Sequence, residues 1–187
     1  MPKSVLFDRE KVIEDVMQLF WKKGYNGTSM QDLVDVTGLN RSSFYNSFGD
    51  KFSLYEESIK HYQAKQLGML NQTIQDAHSP LKAIQSLFKG ILDEVRSGNR
   101  KGCMMTGCTS EMSHDPSVSD LLNANKENVV EIFKVLIEKA QGLGEISTEK
   151  DAATVALYLF SSLQGLRLTS MLESDLEGVI KEILARL

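Results

Sequence analysis

The sequence has few of the residues that interrupt, cross-link or anchor a chain. Among its 187 residues are three prolines and two cysteines. It contains no apolar run of about 18 residues, so we predict no membrane-spanning helix and no membrane partner. Because the first residues lack the apolar stretch of a secretory signal, we expect a cytoplasmic protein without a framework of structural disulfides.

Positive charge is scarce as well. The formal net charge is −4, and the first 62 residues carry eight Lys or Arg against nine Asp or Glu. Nucleic-acid-binding domains usually have a basic excess, so the bulk charge argues against DNA binding. Residues 36–49, however, contain one arginine and no acid. Any interaction with DNA must therefore depend on this local arrangement.

Recognisable catalytic motifs are missing. There is no arrangement of serine, histidine and acid, no phosphate-binding loop, and no metal-ligand spacing around Cys103 and Cys108. The three histidines, His61, His78 and His114, are isolated in the sequence. We therefore expect no enzyme, no cofactor and no metal site.

Helical periodicity runs through almost the whole chain. Ser79-Pro80 and Asp115-Pro116 place a proline directly behind a capping residue, which is typical of a helix start. Alternation with a period of two is absent, so no strand is predicted. We predict an all-α fold of about nine helices. One short helix is expected to begin behind a cap at residues 28–29. The others are expected over residues 8–23, 40–48, 51–77, 81–98, 102–114, 116–141, 148–170 and 173–187.

The helix lengths divide the chain into two parts. The first three helices are short and closely spaced, whereas the later ones are mostly long. We predict a small N-terminal domain over residues 1–50 and a larger helical domain over residues 51–187. The long helix that begins at residue 51 would join them.

Residues 28–51 have the pattern of a helix-turn-helix motif. Residues 36–40 supply the turn, and Gly38 stands where a left-handed backbone is needed. In such motifs the second helix lies in the major groove of DNA and presents its N-terminal side chains to the bases. Two alternatives remain open: three packed helices with a polar turn and no ligand, and a helical interaction module that no longer binds DNA.

The second short helix carries side chains suited to reading bases. Arg41 can make two hydrogen bonds to guanine, and Ser42 and Ser43 can donate or accept at any base. Asn46 lies one helical turn further on and shares their face. Tyr45 can reach a phosphate. This face is therefore the predicted DNA-reading surface.

Other residues of the same region are predicted to orient this helix or to bind the DNA backbone. Phe44 and Phe48 are four residues apart and should pack inward. Thr28, Ser29 and Lys51 stand at helix N-termini, where backbone N–H groups attract phosphate.

The stretch GTSMQDLVDVTGLNRSSFYNSFGDKFSLY resembles the N-terminal domain of the TetR/AcrR family of transcriptional regulators. The resemblance covers residues 8–55, with departures at Asp35-Val36, Asn40 and Ser42 that do not break the helix-turn-helix geometry. The positions that agree with the family pattern are Leu19, Phe20, Gly24, Tyr25, Thr28, Leu33, Val34, Gly38, Leu39, Ser43, Phe44, Tyr45, Phe48, Asp50, Lys51 and Leu54.

The resemblance implies a transcriptional repressor that binds a palindromic double-stranded DNA operator as a dimer and leaves it on binding an effector. The DNA contacts of the family carry over to Thr28, Arg41, Ser42, Ser43, Tyr45, Asn46 and Lys51.

The end of the chain is strongly apolar. Residues 152–163 are apolar nearly all round, and the last helix has an apolar stripe of Leu176, Val179, Ile180, Ile183, Leu184 and Leu187. Such a stripe needs a partner surface, which could be the chain's own core. The family resemblance implies a homodimer in which the last two helices form a four-helix bundle with those of the partner. Two recognition helices would then lie about one turn of DNA, ~34 Å, apart.

The family resemblance also implies that the middle helices enclose a pocket for a small apolar effector. The alternative for each candidate residue is ordinary core packing, although methionine suits irregular apolar sites. The candidate lining residues are Phe88, Met104, Met105, Met112, Phe133, Tyr158 and Leu163.

Cys103 is a candidate sensor. It stands near a predicted helix N-terminus, just after Arg100 and Lys101, and both features favour the thiolate. Cys108 is five residues away, so we expect no disulfide between the two within one helix. The Gly-Cys pair at this place resembles a TetR subgroup that includes the N-ethylmaleimide-responsive repressor. That resemblance implies a thiol that senses electrophiles or oxidants; burial as a small apolar residue is the alternative.

Overall fold

The described part of the chain is all helical, as predicted. The computed structural model describes residues 7–187, and these residues form nine α-helices without a strand. The helices are α1 (Arg9–Lys23), α2 (Met30–Thr37), α3 (Arg41–Phe48), α4 (Lys51–Asp76), α5 (Pro80–Arg96), α6 (Met104–Met112), α7 (Pro116–Gly142), α8 (Ala152–Thr169) and α9 (Glu177–Leu184). None of them is long and apolar enough to cross a membrane.

Side-chain caps explain where most helices begin. Ser79 and Asp115 cap α5 and α7 ahead of their prolines, as the sequence predicted. The predicted start of α8 at residue 148 was wrong, because Asp151 accepts a hydrogen bond from Thr154 N–H and begins the helix at Ala152. The predicted last helix was too long, since Glu173 binds the next two N–H groups in a turn and α9 begins only at Glu177.

One hydrophobic core holds the N-terminal helices. It joins α1, α2 and α3 with the first half of α4 and with α6. Phe44 and Phe48 enter this core from α3, and Leu33 enters it from α2, each almost fully buried. We call this cluster the aromatic core, because every aromatic ring pair of residues 7–187 except Phe88–Phe133 lies in it or against it.

A second core, which we call the aliphatic core, holds the long helices. It joins α5, α7, α8 and α9, with residues such as Ile84, Ile91 and Ile137 fully buried. Ile74 and Ala77, at the end of α4, pack against it, whereas Tyr55, Ile59 and Tyr62 of the same helix belong to the aromatic core. The α4 helix therefore spans both cores. The domain division at residue 50 remains a prediction; α6, much later in the chain, shares a core with the first three helices.

Candidate nucleic-acid interface and effector cavity

The turn between α2 and α3 is held by local contacts. Ser29 accepts a hydrogen bond from Asp32 N–H while Asp32 accepts one from Ser29 N–H, which completes a capping box at the start of α2. Gly38 ends the helix with a left-handed φ of 66°, a conformation that glycine adopts without cost. Asn40 then accepts a hydrogen bond from Ser43 N–H at 2.9 Å and begins α3. These contacts fix the angle between the two helices.

The predicted reading face of α3 is free. Arg41, Ser42, Tyr45 and Asn46 are exposed, and Ser43 is half-buried. The opposite face is anchored by Phe44 and Phe48, whose ring centroids lie 5.7 Å apart. The helix therefore turns a polar surface with one cation and no acidic residue toward solvent.

Lys51 lies at the first position of α4 and is held in place by an aromatic ring. Its Nζ lies 4.3 Å from the centroid of the Tyr25 ring. Partial burial lowers the pKa of Lys51, and the nearby carboxylates of Glu111 and Asp32 act against that shift. The ammonium is thus positioned beside a helix N-terminus, where phosphate is attracted.

Thr28 does not present its side chain to a ligand, which corrects the sequence-based assignment. The residue is 1% exposed, and its hydroxyl donates to the Gly24 carbonyl at 2.7 Å. Its N–H donates to the Tyr25 carbonyl. Thr28 therefore supports the link between α1 and α2. Its neighbour Ser29 is exposed but is already engaged in capping α2.

Sequence reasoning missed Arg9, which ties three helices together. One guanidinium nitrogen donates to the Ser47 carbonyl at the end of α3, and another pairs with Glu57 of α4 at 2.8 Å. The same guanidinium lies 4.6 Å from the centroid of the Phe48 ring. An arginine at the start of a predicted helix carries no sequence signal for such contacts.

A large cavity lies among the longer helices. Its volume is about 910 Å³, and α4, α5, α7 and α8 supply most of its lining. Met105, Phe133 and Leu163 line it, and so does Cys103. It is large enough for a drug-sized molecule.

Four predicted lining residues do not reach the cavity. Phe88 is fully buried in the aliphatic core, where its ring packs 6.4 Å from that of Phe133. Met104 and Met112 belong to the aromatic core. Tyr158 packs against the aliphatic core and donates a long hydrogen bond, 3.4 Å, to the Ile183 carbonyl of α9. For these four, core packing was the correct alternative.

The cavity is also more polar than the sequence suggested. Arg167 and Glu94 line it as an ion pair of 3.1 Å between α8 and α5. Tyr62 and Gln164 line the cavity as well. Sequence patterns could not bring these residues together, because they come from helices far apart in the chain.

Cys103 is the N-cap residue of α6 and is half-buried at the cavity wall. Its Sγ accepts a hydrogen bond from the Tyr62 hydroxyl at 3.6 Å. Cys108 is buried on the next turn, free of any disulfide, and its burial raises its pKa. The geometry therefore gives Cys103, rather than Cys108, access to a bound molecule.

The two C-terminal helices differ in what they leave exposed. Leu157 and Leu168 of α8, and Met171 and Leu172 just after it, are exposed. The stripe of the last helix packs mainly within the chain, the alternative that the sequence had left open: Leu176 and Ile180 are buried in the aliphatic core, and Ile183, Leu184 and Leu187 pack partly against it. Val179 is the exposed member of that stripe.

Comparisons with known proteins agree with this architecture. A model of the tetR family of bacterial regulatory proteins matches residues 13–58. The HTH-type transcriptional repressor ComR of Escherichia coli (strain K12) is 25% identical over 182 residues, covering 94% of this chain and 85% of that protein.

Solved structures share the fold over nearly the whole chain. A cysteine mutant of the TetR-family regulator CifR, in complex with a 26-base-pair operator DNA, has a TM-score of 0.85 at 20% identity, covering 96% of each chain. The reduced form of E. coli NemR has a TM-score of 0.82 at 16% identity, covering 95% of this chain and 93% of that one. Residues 13–58 thus form an N-terminal domain of the tetR family of bacterial regulatory proteins, and residues 7–187 share their fold with solved TetR-family regulators.

Proposed function

We propose that this chain, a DNA-binding transcriptional repressor of the TetR family, binds a palindromic operator as a homodimer. It would leave the operator when a small molecule occupies the cavity or when the Cys103 thiol is modified. The observation that carries the proposal is α3: a helix anchored by two buried phenylalanines that turns Arg41, Ser42 and Asn46 to solvent. A helix that served only packing would not need this face.

The proposed DNA interface carries little positive charge. Arg41 and Ser42, with Ser43 and Asn46 beside them, would contact base edges, while Tyr45 and Lys51 would bind phosphates. Lys23, the last residue of α1, already pairs with Asp32 at 2.6 Å. We therefore expect few phosphate contacts and a shallow dependence of affinity on salt.

The exposed apolar residues of α8 support the homodimer. Leu157, Leu168, Met171 and Leu172, on or just after α8, are exposed, and so is Val179 of α9. Large apolar side chains exposed in number are typical of protein contacts. A two-fold dimer would present two α3 helices to a palindrome.

The α6 helix supports a coupling between cavity and DNA. Cys103 and Met105 line the cavity at the start of α6. Two turns later, the Glu111 carboxylate accepts a hydrogen bond from Tyr25 N–H at 2.7 Å, next to the end of α1. A molecule that displaces α6 would therefore move the helices that carry the reading face. This is a shift between two arrangements of packed helices.

The first test is a selection of DNA from a random-sequence pool by the purified protein, followed by gel-shift titration at a fixed salt concentration. We expect a palindromic site. Arg41→Ala should weaken binding to it by about ten- to a hundredfold, the cost of losing a bidentate base contact. Lys89→Ala, which removes an exposed cation from α5, is the matched control and should leave the affinity unchanged. Failure to select any site would favour the other reading, a helical interaction module that does not bind DNA.

The proposed role of the Cys103 thiol is tested by the same titration in the presence of a mild oxidant or N-ethylmaleimide. We expect the reagent to release the wild-type protein and a Cys108→Ser variant, and to spare Cys103→Ser. Equal release of the Cys103→Ser variant would show that this thiol is not the sensor. Repression released only by a non-reactive molecule would leave the cavity as the point of control.

A further inference from the structure

The wall of the cavity contains an ion pair whose hydrogen-bonding capacity is only partly used. Arg167 Nη1 donates to Glu94 Oε2 at 3.1 Å, and the Arg167 side chain is 16% exposed. A guanidinium has five N–H donors, and this is the only hydrogen bond that the Arg167 side chain makes within residues 7–187. The other donors are therefore available to a molecule in the cavity that Arg167 lines.

Gln164 lies one turn before Arg167 on α8 and adds a second donor. Its Oε1 accepts a hydrogen bond from Thr106 at 3.0 Å, which fixes the orientation of the amide. Its Nε2 has no hydrogen-bond partner among the described residues. Two neighbouring side chains of the wall can thus donate to the same acceptor.

The charges around the cavity argue against a negatively charged occupant. The Arg167 cation is already balanced by Glu94. Nearer the start of α4, the cation of Lys60 pairs with Glu56 at 2.8 Å. Asp120 also lines the cavity, so the five charged lining residues sum to −1. A carboxylate that entered this site would lose its hydration and meet Glu94 without gaining an unpaired cation.

The remaining wall holds uncharged polar side chains, such as Gln63, Asn125 and Asn128, beside a set of apolar ones suited to a hydrocarbon body. Leu70, Leu87, Val129, Phe133 and Phe160 line it, from α4, α5, α7 and α8. We propose that the cavity binds an uncharged, mainly apolar molecule that carries a hydrogen-bond-accepting oxygen. Arg167 and Gln164 bind that oxygen, and Glu94 is the residue that selects against a carboxylate. This inference rests on the cavity being the effector site of the proposed repressor.

Decanamide and decanoate form a matched pair of probes, because they have the same number of heavy atoms and differ in charge. Binding can be followed by calorimetry and by fluorescence of Trp21, the single tryptophan, whose ring packs 5.0 Å from that of cavity residue Tyr62. We expect the wild-type protein to bind decanamide at least about tenfold more tightly than decanoate.

Glu94→Gln tests the selecting residue, and Glu127→Gln is its control. Glu94→Gln leaves the Arg167 cation unbalanced, so decanoate should bind about tenfold more tightly than to wild type while decanamide changes little. Glu127→Gln removes the same charge from an exposed position of α7 that does not line the cavity, and it should leave the ratio of the two affinities as it was. Arg167→Gln should weaken decanamide by about tenfold; circular dichroism and thermal unfolding check that it folds.

Three results would overturn the inference. They are equal or tighter binding of decanoate by wild type, an unchanged affinity ratio in Glu94→Gln, and no binding of decanamide up to its solubility. None of these measurements involves DNA. A protein that binds decanamide as expected but selects no operator would refute the repressor proposal alone, and a protein that binds its operator but not decanamide would refute this inference alone.

Discussion

The aromatic and aliphatic cores are built differently. In the aromatic core, α1, α2 and α3 each begin at a side-chain cap, and rings such as Phe20, Tyr25 and Tyr55 pack at steep angles to one another between the helices. In the aliphatic core, long helices pack through isoleucine, leucine and valine, and its ring pair is Phe88–Phe133. The first holds a surface in one orientation, whereas the second surrounds a cavity.

Residues of both cores line the cavity, so a change in the packing of one core at the cavity can affect the other core. Tyr62 and Met105 belong to the aromatic core, Phe133 belongs to the aliphatic core, and all three line the cavity. Under the proposed function, a bound molecule would change how the two cores pack against each other without disrupting either one. Well-packed cores move as units, and so a small displacement at the cavity can reach α3.

The largest expected effect comes from removing one buried aromatic ring from either core. Phe44→Ala removes a fully buried ring from α3, and Phe88→Ala removes one from α5. Each should lower the free energy of unfolding by about 3–5 kcal/mol, as for other buried aromatic residues. Operator affinity should separate them: Phe44→Ala should lose specific binding, while folded Phe88→Ala should keep it.

Urea unfolding and gel-shift titration at low temperature measure both quantities for the two variants. If Phe88→Ala lost operator binding as completely as Phe44→Ala while still folded, the two cores would not be separate units.

Much of the aromatic core could be predicted from the sequence, because its determinants are local. Caps such as Asn40, the glycine at 38 and the four-residue spacing of Phe44 and Phe48 all lie within a few residues of what they control. The exposed face of α3 follows directly from that spacing. Thr28 was misassigned because its burial depends on how α1 meets α2, which no local pattern records.

The cavity and the last helix were less predictable, because their environments are made by distant segments. Glu94 and Arg167 are 73 residues apart in the chain. Phe88 and Met105 look alike as apolar helix residues, yet one is enclosed by the aliphatic core and the other faces the cavity. The apolar stripe of α9 correctly indicated a buried face, but the sequence could not tell whether the covering surface is the same chain or a partner.

Gly24→Ala should have the next largest effect, because it disturbs the junction of α1 and α6. Gly24 has a φ of +73°, and a Cβ there would lie 2.0 Å from Glu111 Oε1. The carboxylate would have to move and leave the Tyr25 N–H, and the backbone would be strained. We expect a loss of about 1–3 kcal/mol, measured by urea unfolding.

Glu111→Ala separates the two causes. It removes the obstructing carboxylate, so its combination with Gly24→Ala should cost less than the sum of the single changes. Strict additivity of the two would mean that only backbone strain matters and that Glu111 does not link α6 to α1.

Arg9→Ala should have a smaller effect that falls mainly on α3. It removes the hydrogen bond to Ser47, the contact with the Phe48 ring and the pair with Glu57. We expect stability to fall by about 1 kcal/mol and operator affinity to fall by about tenfold. The salt dependence of binding should stay as in wild type, because Arg9 positions α3 and does not bind phosphate. A decrease of about one in the salt slope, or full rescue by Arg9→Lys, would instead indicate a direct phosphate contact.

The smallest expected effect concerns the contact between α1 and α4, and it depends on pH. Glu14 binds Lys65 at 2.8 Å and also accepts from Gln18 and His61, and these contacts, chiefly the one with Lys65, lower its pKa from 4.5 to about 2. A carboxyl whose pKa is lowered by folding stabilises the protein above its unfolded pKa, and this contribution is lost as the pH falls from about 4.5 toward 2. Because the side chain is one-third exposed, Glu14→Gln should cost no more than about 1 kcal/mol at neutral pH.

The difference in the free energy of unfolding between wild type and Glu14→Gln, measured by urea unfolding, should shrink toward zero in acid. Glu10→Gln, on the exposed side of the same helix, should show no such convergence. A Glu14→Gln deficit that stayed constant down to the acid limit of folding would mean that the charge of Glu14 does not stabilise the contact between α1 and α4.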